Sequence, residues 1–383
     1  MKSPKIRFKE FQNEWDSRIF GDICNKFDNL RIPIAENLRK KGNIPYYGAN
    51  GIQDYVDGYT HDGEFVLIAE DGANDIKNYP VQYVNGKIWV NNHAHVLQGK
   101  NGILNNIFLN YSISSINFEP ILVGGSRAKL NASVMDKIQI RIPNDIKEQE
   151  AIGEFFKKID EILDLEKLRF KKFENFKKTM LDKLFVASGE NTPRLRLGSF
   201  TSNWTSVTLG EVFKERTERS KFGELLSVSI SKGVTKFSEL NRWDKSSEDK
   251  SNYKVVKKGD IAYNSMRMWQ GASGMSEYDG IVSPAYTILE PYKNANSLFF
   301  SYMFKKDEML YKFRIKSQGL TSDTWNLKYT NLKNIKTKIP TDLKEQEAIG
   351  EFFRKIDEIL ELSQNRISKL ENIKKFLLNK MFV

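Results

Sequence analysis

Apolar side chains at alternating steps of three and four residues predict two long amphipathic helices, one mid-chain and one at the end. In the first helix these positions are Ile152, Phe155, Ile159 and Ile162, then Phe173, Phe176 and Met180. They recur 197 residues later at Ile349, Phe352, Ile356 and Ile359, then Leu370, Ile373 and Leu377. A capping-box type of start signal precedes each helix, at Asp145 and at Asp342. At 1.5 Å per residue, about 40 residues give a helix of about 60 Å, which needs a partner for its apolar face.

Each helix can bury its apolar face against the other, because both carry the same heptad-like pattern. Polar residues interrupt the pattern near the middle of each helix: Glu166 and Arg169 in the first, Ser363 and Arg366 in the second. Antiparallel pairing brings the two interruptions together. We therefore predict an antiparallel coiled coil.

The two helices belong to an internal duplication. Residues 142–163 read IPNDIKEQEAIGEFFKKIDEIL and residues 339–360 read IPTDLKEQEAIGEFFRKIDEIL, identical at 19 of 22 positions. A second, weaker match lies near the start of each half and aligns Trp15 with Trp204. The sequences between these matched ends scarcely align, so each half is a variable body followed by a repeated helix.

The duplication predicts four segments. They are a first body at 1–141, a first helical segment at 142–186, a second body at 187–338 and a second helical segment at 339–383. Short β-like runs at 64–69, 87–90 and 138–142, separated by Gly, Asn and Asp turns, predict strands in the first body. The predicted fold class is α+β, with two mixed α/β bodies joined by two long helices.

The chain has 60 Lys and Arg against 49 Asp and Glu, a net charge of +11. In chain order the four segments carry +2, 0, +9 and 0. Because Lys and Arg supply most of the sequence-independent affinity for a duplex, the excess predicts a nucleic-acid surface on the bodies, chiefly the second. The two helical segments carry no net charge, so we expect them to bind protein partners. Two unlike bodies on one repeated scaffold predict an asymmetric, bipartite DNA site.

The remaining composition places the chain in the reducing interior of a cell. A single cysteine, Cys24, excludes an internal disulfide framework and favours a reducing compartment. No run of about 18 apolar residues is present, and the basic start is not followed by an apolar region, so we expect neither a membrane span nor a signal peptide. The expected location is the cytoplasm.

Aromatic, amide and basic side chains on glycine-rich loops suit contacts to bases and phosphates. Such loops occur three times in the first body, and two comparable polar loops occur in the second. Arg267 is the sharpest candidate, because Arg pairs bidentately with guanine or clamps a phosphate. The alternative for any single loop is an ordinary surface turn. The candidate DNA contacts are Tyr46, Tyr47, Asn50, Asn74, Ser126, Arg127, Lys129, Arg267, Trp269, Gln270, Gln318, Thr321 and Ser322.

Several polar residues are repeated in both helices although a two-helix seam does not require them. Repetition of such positions indicates that the same outside protein binds twice. The alternative is that the repeat is only core and reflects a recent duplication. The candidate partner contacts are Lys147, Glu148, Gln149 and Phe156 in the first helix, and Lys344, Glu345, Gln346 and Phe353 in the second.

Catalytic motifs are mostly missing. The chain has no G-x-x-x-x-G-K-[ST] loop, no G-x-G-x-x-G and no Asn-Pro-Pro-Tyr-like motif of base-amine methylation. One cysteine cannot form a zinc knuckle, and His93 and His95 lack an obvious third ligand, so we expect no metal and no catalytic residue. Asp244, Glu248 and Lys250 superficially resemble a nuclease cluster, but a solvated Ser-rich loop explains them better. Two further function classes stay open: a stand-alone nuclease using that loop, and an RNA-binding or assembly adaptor.

At the two repeats the chain resembles the specificity subunit of type I restriction-modification systems. The motif IP.D.KEQEAIGEFF.KIDEIL occurs twice, each time after one of two unlike bodies, and is highly specific for that family. Further similar stretches are IPYYGANGIQDYV at 44–56, FVLIAEDGA at 65–73, GDIAYNSMRMWQG at 259–271 and YDGIVSPAY at 278–286. The resemblance covers essentially the whole chain.

The resemblance implies two target-recognition domains of mixed α/β fold, each reading one half of a split DNA site, joined by an antiparallel coiled coil. It also implies two methyltransferase subunits docked on the helices and two restriction subunits in the full nuclease. S-adenosylmethionine, ATP and Mg would then belong to those partners, with no cofactor on this chain. Recognition domains vary most within the family, so the DNA contacts named above rest on loop chemistry alone.

Overall fold

The structure, a computed structural model, describes residues 3–123, 129–187, 189–240, 242–244 and 246–382. The chain forms two compact units. Unit 1 comprises Met1–Leu168 and Asn365–Val383, and unit 2 comprises Arg169–Gln364. Within the described residues, no helix combines the length and the apolarity that crossing a membrane requires.

The described residues of unit 1 form eight strands, the start of the first long helix and the end of the second. The strands are β1 (Asp16–Ile19), β2 (Cys24–Lys26), β3 (Lys41–Gly48), β4 (Gly51–Val56), β5 (His61–Ala69), β6 (Val81–Val90), β7 (Ala94–Gly99) and β8 (Gln139–Ile142). The helices are α1 (Phe20–Ile23), α2 (Asn106–Ser114), α3 (Ala132–Met135) and the long α4 (Ile146–Leu184), whose residues from 169 onward belong to unit 2.

A six-stranded sheet forms the centre of unit 1, in the order β2-β7-β5-β6-β3-β4. Its neighbours are antiparallel except β3 and β6. Alternate side chains of β5 point to opposite faces of the sheet, and an apolar cluster covers each face. Val66 and Ile68 pack with Phe108 of α2, whereas Phe65 and Leu67 enter a second cluster. Strands β5, β6 and β8 confirm the three runs predicted from the sequence.

The described residues of unit 2 form ten strands, each of three to six residues. They are β9 (Thr205–Thr208), β10 (Phe213–Glu215), β11 (Leu226–Ser229), β12 (Gly233–Lys236), β13 (Lys254–Val256), β14 (Ile261–Asn264), β15 (Ser273–Met275), β16 (Gly280–Val282), β17 (Tyr286–Pro291) and β18 (Lys336–Ile339). The helices that begin in it are α5 (Leu209–Val212), α6 (Ser297–Met303), α7 (Asp307–Lys316), α8 (Tyr329–Leu332) and the long α9 (Leu343–Met381), which returns to unit 1 from residue 365.

The sheets of the two units differ. Unit 2 has a four-stranded sheet, β10-β17-β14-β15, and three separate strand pairs. One pair, β9 with β18, matches β1 with β8 of unit 1: each joins the start of a body to the strand before its long helix. The described part of unit 2 has no counterpart of the six-stranded sheet.

The two long helices run antiparallel in each unit, as predicted. In unit 1, Lys167 lies 2.8 Å from Glu371 and Asp160 lies 2.5 Å from Lys374, so the residue number on one helix falls as the other rises. In unit 2, Lys177 lies 2.5 Å from Asp357, and Phe185 stacks on Phe353 with 5.9 Å between ring centroids.

The predicted meeting of the polar interruptions is also confirmed. Glu166 is buried in the seam, and Arg366 of the other helix lies 3.1 Å from its carboxylate. Arg366 is 61% exposed, so the pair lies at the edge of the seam, where opposite charges favour this alignment of the two helices.

The buried seam differs by one residue from the predicted one at two positions of α4. Phe156 and Leu163 are buried, whereas Phe155 is half-buried and Ile162 is 43% exposed. The consecutive phenylalanines permit both registers, and in the observed one Phe156 packs against the rings of Tyr111 and Phe382. The same shift occurs in α9, where Phe353 rather than Phe352 is fully buried.

Candidate nucleic-acid interface

Two candidate loops of unit 1 are bonded to each other, and a third approaches them. The Asn50 side chain donates to the Gly72 carbonyl at 2.9 Å and accepts from the Asn74 backbone at 2.9 Å. Lys129 joins this edge through a β-bridge with Asp71. Asn50 and Asn74 are exposed, so amide and ammonium groups share one surface. Ser126 and Arg127, on the same predicted loop as Lys129, lie outside the described residues.

The two candidate tyrosines of unit 1 are placed differently. Tyr46 is 1% exposed, its hydroxyl accepts from the Ile34 N–H at 3.0 Å, and the Arg39 guanidinium lies over its ring. This burial corrects the prediction that Tyr46 contacts DNA, since no part of its ring is free. Tyr47 is half-buried against the second cluster of β5, and burial raises the pKa of its hydroxyl.

A partly buried charge network supports this edge of unit 1. Arg31 and Lys129 lie 2.7 and 3.3 Å from the Glu70 carboxylate. Burial opposes ionisation of Glu70, but the hydrogen bond from Arg31 prevails, with help from Lys129, and its pKa is lowered. His95 lies 2.6 Å from Asp28, and its other ring nitrogen lies 2.8 Å from the Leu130 carbonyl.

Asp28, Glu70 and His95 lie close enough together to suggest a metal site. Their ligand atoms, however, already face Arg31, Lys129 and backbone groups, and such cations repel a metal ion. His93 is not part of the group and has its own neighbour, Asp71, at 4.0 Å. The cluster is an ion-pair network that holds the strands beneath the loops.

In unit 2 the two candidate loops also meet. The Trp269 and Trp325 rings contact edge to face with 5.2 Å between centroids, and Arg267 lies 3.8 Å from Asp323. The Leu327 N–H donates to the Ser265 carbonyl at 2.8 Å, which ties the base of one loop to the other. Sequence reasoning selected both loops but missed Trp325 and Asp323.

The candidate side chains of these loops are accessible to different degrees. The Arg267 side chain is 40% exposed, and Trp269 and Gln270 are half-buried. Trp269 donates its indole N–H to the Met266 carbonyl, which leaves its ring rather than its nitrogen for a ligand. Gln318, Thr321 and Ser322 are exposed.

Unit 2 carries one further aromatic group that sequence reasoning missed. Trp243 is 92% exposed and borders an open groove of about 1010 Å³ with Tyr253 and Tyr286. Exposed aromatic faces stack on bases. The signal that could have found it is a tryptophan within the polar run ELNRWDKSSEDK.

The acidic loop considered as a nuclease site has no catalytic arrangement. Asp244 accepts a hydrogen bond from the Ser246 backbone at 2.8 Å, and Lys250 donates to the Ser247 carbonyl at 3.1 Å. Asp244 and Glu248 are exposed. Among the described residues, these groups form a surface turn, and the nuclease alternative is not supported.

The repeated glutamates have a structural role in each unit. In unit 1, Arg7 holds Glu148 through two bonds of 2.6 and 2.7 Å, and Trp15 donates to the same carboxylate at 3.2 Å. In unit 2, Arg196 holds Glu345 through bonds of 2.9 and 2.6 Å, and the third donor is the indole N–H of Trp204 at 3.3 Å.

The repeated glutamines are equally buried. Gln149 accepts from the Asn105 N–H at 2.9 Å and donates to the Pro143 carbonyl at 2.8 Å, and Gln346 makes the matching bonds to Asn296 and Pro340. This burial corrects the prediction of partner contacts, because the side chains concerned have no exposed surface to offer. They are Glu148, Gln149, Phe156, Glu345, Gln346 and Phe353, whereas Lys147 and Lys344 are exposed.

A third repeated constellation joins each body to both long helices. Tyr111 of α2 donates to Asp160 at 2.8 Å, and Lys374 lies 2.5 Å from the same carboxylate. Tyr302 of α6 repeats this contact with Asp357 at 2.9 Å, and there the cation is Lys177. The signal in the sequence is a short match inside the bodies, LNNIFLNY at 104–111 against ANSLFFSY at 295–302.

The repeated contacts agree with comparisons to known proteins. The family model of the type I restriction modification DNA specificity domain matches residues 12–174 and again residues 201–372. Over 130 residues the chain is 52% identical to a putative type I restriction enzyme specificity subunit of Haemophilus influenzae, which covers 34% of this chain and 33% of that protein. Over 145 residues it is 30% identical to a putative type I specificity subunit of Mycoplasma pneumoniae, with 37% and 39% coverage.

These alignments span about a third to two fifths of the curated relatives' length. The fold matches more widely. The crystal structure of the S subunit of a type I restriction-modification system from M. genitalium superposes with a TM-score of 0.71 at 18% identity, covering 100% of this chain and 99% of that one. Since the two family matches together cover most of the chain, the protein belongs to the type I restriction-modification DNA specificity family, with one copy of the domain in each half.

Proposed function

We propose that the chain is the DNA-specificity subunit of a type I restriction-modification complex and reads an asymmetric, bipartite DNA site. The observation that carries this proposal is the pairing of one repeated framework with two unlike sheets. Identical bodies would read the same bases twice, whereas unlike bodies read different half-sites. The basic excess on the bodies supports duplex DNA as the ligand.

The partners in this proposal are two methyltransferase subunits, one for each copy of the repeat. An outward face of each long helix supports this, because its residues are the same in both copies and do not contribute to the seam. Leu165 and Leu362 occupy equivalent positions on that face and are 66% and 70% exposed. The other members are Lys147, Glu154, Lys158 and Glu161 in α4, and Lys344, Glu351, Lys355 and Glu358 in α9.

The chemistry in this proposal belongs to other subunits. S-adenosylmethionine would bind the methyltransferase subunits, and ATP and Mg would serve two restriction subunits. The chain itself would be non-catalytic and cytoplasmic. Its contribution is to select the DNA site and to hold the enzymes at it.

Charge placed on the repeated outward face tests the partner assignment. Leu165→Glu and Leu362→Glu should each remove one methyltransferase subunit from the complex, and the double variant should remove both, because a buried unpaired charge disfavours an interface. Co-purification followed by mass measurement of the intact complex gives the stoichiometry. Lys171→Glu, at an exposed position off that face, is the matched control. Unchanged stoichiometry in the double variant would contradict the assignment.

Binding by the isolated chain tests the ligand. The purified chain should bind duplex DNA modestly and methylate nothing. Competing duplex DNA should displace the bound DNA more readily than competing RNA does. Methylation without another subunit, or stronger competition by RNA, would overturn the proposal.

A further inference from the structure

One lysine of unit 2 ties the turn that carries Arg267 to helix α6. Lys305 follows the end of α6, and its ammonium donates to two backbone carbonyls. One belongs to Gly271, the residue that ends the turn, and the other to Ile230 at 3.2 Å. Two segments distant in sequence are therefore held by one side chain.

The side chain of Lys305 is half-buried. Burial lowers the pKa of Lys305 to about 8, and the nearby charge of Lys177 acts in the same direction. A partly desolvated ammonium is stabilised by hydrogen bonds, and its two carbonyl partners define its position. The carboxylate of Asp357, which accepts from Tyr302, acts in the opposite direction and partly offsets the effect of burial on the pKa of Lys305.

The turn above Lys305 has a demanding backbone. Gly271 has φ of 86°, in the left-handed region, and its N–H donates to the Met268 carbonyl at 2.8 Å. A Cβ at Gly271 would lie 3.5 Å from Cδ of Lys305, so the lysine stem packs directly beneath the turn. Movement of this stem would move the residues before Gly271, which include Arg267 and Trp269.

Unit 1 has no equivalent of this link among its described residues. Lys305 lies three residues after Tyr302. The residue three positions after Tyr111, the equivalent tyrosine of unit 1, is Ser114. Its hydroxyl donates to the Asn110 carbonyl of its own helix at 2.8 Å. The repeated framework is thus supplemented in unit 2 only.

We propose that Lys305 is a positioning residue for the Arg267 turn and sets base discrimination at the half-site that unit 2 reads. This inference rests on the proposed function. It assigns no DNA contact to Lys305, which acts through the Gly271 and Ile230 carbonyls. The first half-site should be independent of it.

The test measures discrimination at each half-site separately. Methylation is mapped genome-wide in cells that express all subunits with the wild-type chain, Lys305→Met, Lys305→Gln or Lys305→Arg. Exchange of residues 193–338 for another second body identifies the half-site of unit 2. Lys305→Met should increase methylation about tenfold at sites with one wrong base in that half-site. This is the loss of base discrimination expected when a bidentate base contact is misplaced. Arg keeps the charge and donors and should restore selectivity.

Lys306→Met is the matched control, because Lys306 donates to the Val186 carbonyl, away from the turn. Lys305→Gln keeps donors without the charge and should fall between Met and Arg; it also serves if the Met variant does not assemble. Unchanged selectivity at the second half-site, or equal loss at both, would overturn the inference. A wild-type chain that directs no methylation would overturn the proposed function and the inference with it.

Discussion

Units 1 and 2 share their buried helix contacts and differ in their sheets. Each unit has an Arg and a Trp on a repeated Glu, and a Tyr and a Lys on a repeated Asp. Above these contacts, unit 1 has one six-stranded sheet and unit 2 has a smaller sheet with separate strand pairs. The repeated contacts hold each body on the helices, whereas the sheets that differ are, under the proposed function, free to read different bases.

The strongest test of this comparison replaces one body. Exchanging residues 193–338 for the second body of another family member should replace the half-site of unit 2 completely and leave that of unit 1 unchanged, because the two candidate surfaces share no residues. Each wrong base in a half-site should cost about 1 to 3 kcal/mol of binding free energy. Binding to duplexes altered in one half-site at a time measures this. A change at both half-sites would contradict the division into two readers.

Breaking a buried ion pair should have the next largest effect, and only in its own unit. Glu148→Gln leaves the Arg7 guanidinium without its counter-charge and should lower the free energy of unfolding of unit 1 by about 3 kcal/mol or more. Glu345→Gln should do the same to unit 2 through Arg196.

Hydrogen exchange of the α2 and α6 amides reports the two units separately. Glu150→Gln, at an exposed neighbouring position, is the control and should change neither. Equal loss of protection in both units from a single substitution would show that the two ion pairs are not independent.

The repeated tyrosines should have a moderate effect. Tyr111→Phe and Tyr302→Phe each remove a hydrogen bond to a carboxylate, which is worth about 2 kcal/mol. Urea unfolding of the full chain, with exchange to locate the change, measures it. Tyr55→Phe is the control because Tyr55 is 52% exposed. A much larger effect in one unit would show that the two constellations are not equivalent.

The smallest effect is expected from a surface pair of the coiled coil. Lys167 and Glu371 lie 2.8 Å apart, but both side chains are about half exposed. Lys167→Met should change the free energy of unfolding by less than about 1 kcal/mol. A loss as large as that from Glu148→Gln would contradict the view that the seam and the buried pairs carry the stability.

The helices and their antiparallel pairing could be predicted because their signals are local and periodic. Asp145 and Asp342 cap the helices by accepting from the second residue of each at 2.9 Å, but the glutamate of each predicted capping box is bonded to an arginine instead. The role of Glu148 could not be predicted, since its partners Arg7 and Trp15 are more than 130 residues away. A capping-box spacing and a buried ion pair look the same in the sequence.

The candidate loops could be chosen from their composition, but the exposure of their side chains could not. The two candidate loops of unit 2 are distant in sequence but meet in the fold. Trp325 could therefore not be identified from the sequence. The predicted DNA contact of Tyr46 was wrong because alternate residues of a strand point inward, and the register that turns Tyr46 inward depends on the whole sheet. Composition identifies a polar aromatic loop, whereas exposure depends on the tertiary fold.

Mapping methylated sequences genome-wide, in cells with and without this chain, tests the central claim most directly. Two unlike readers on one repeated framework predict a single asymmetric motif, split into two different half-sites at a constant spacing, that is methylated only when the chain is present. A palindromic motif, or the same methylation without the chain, would contradict the account.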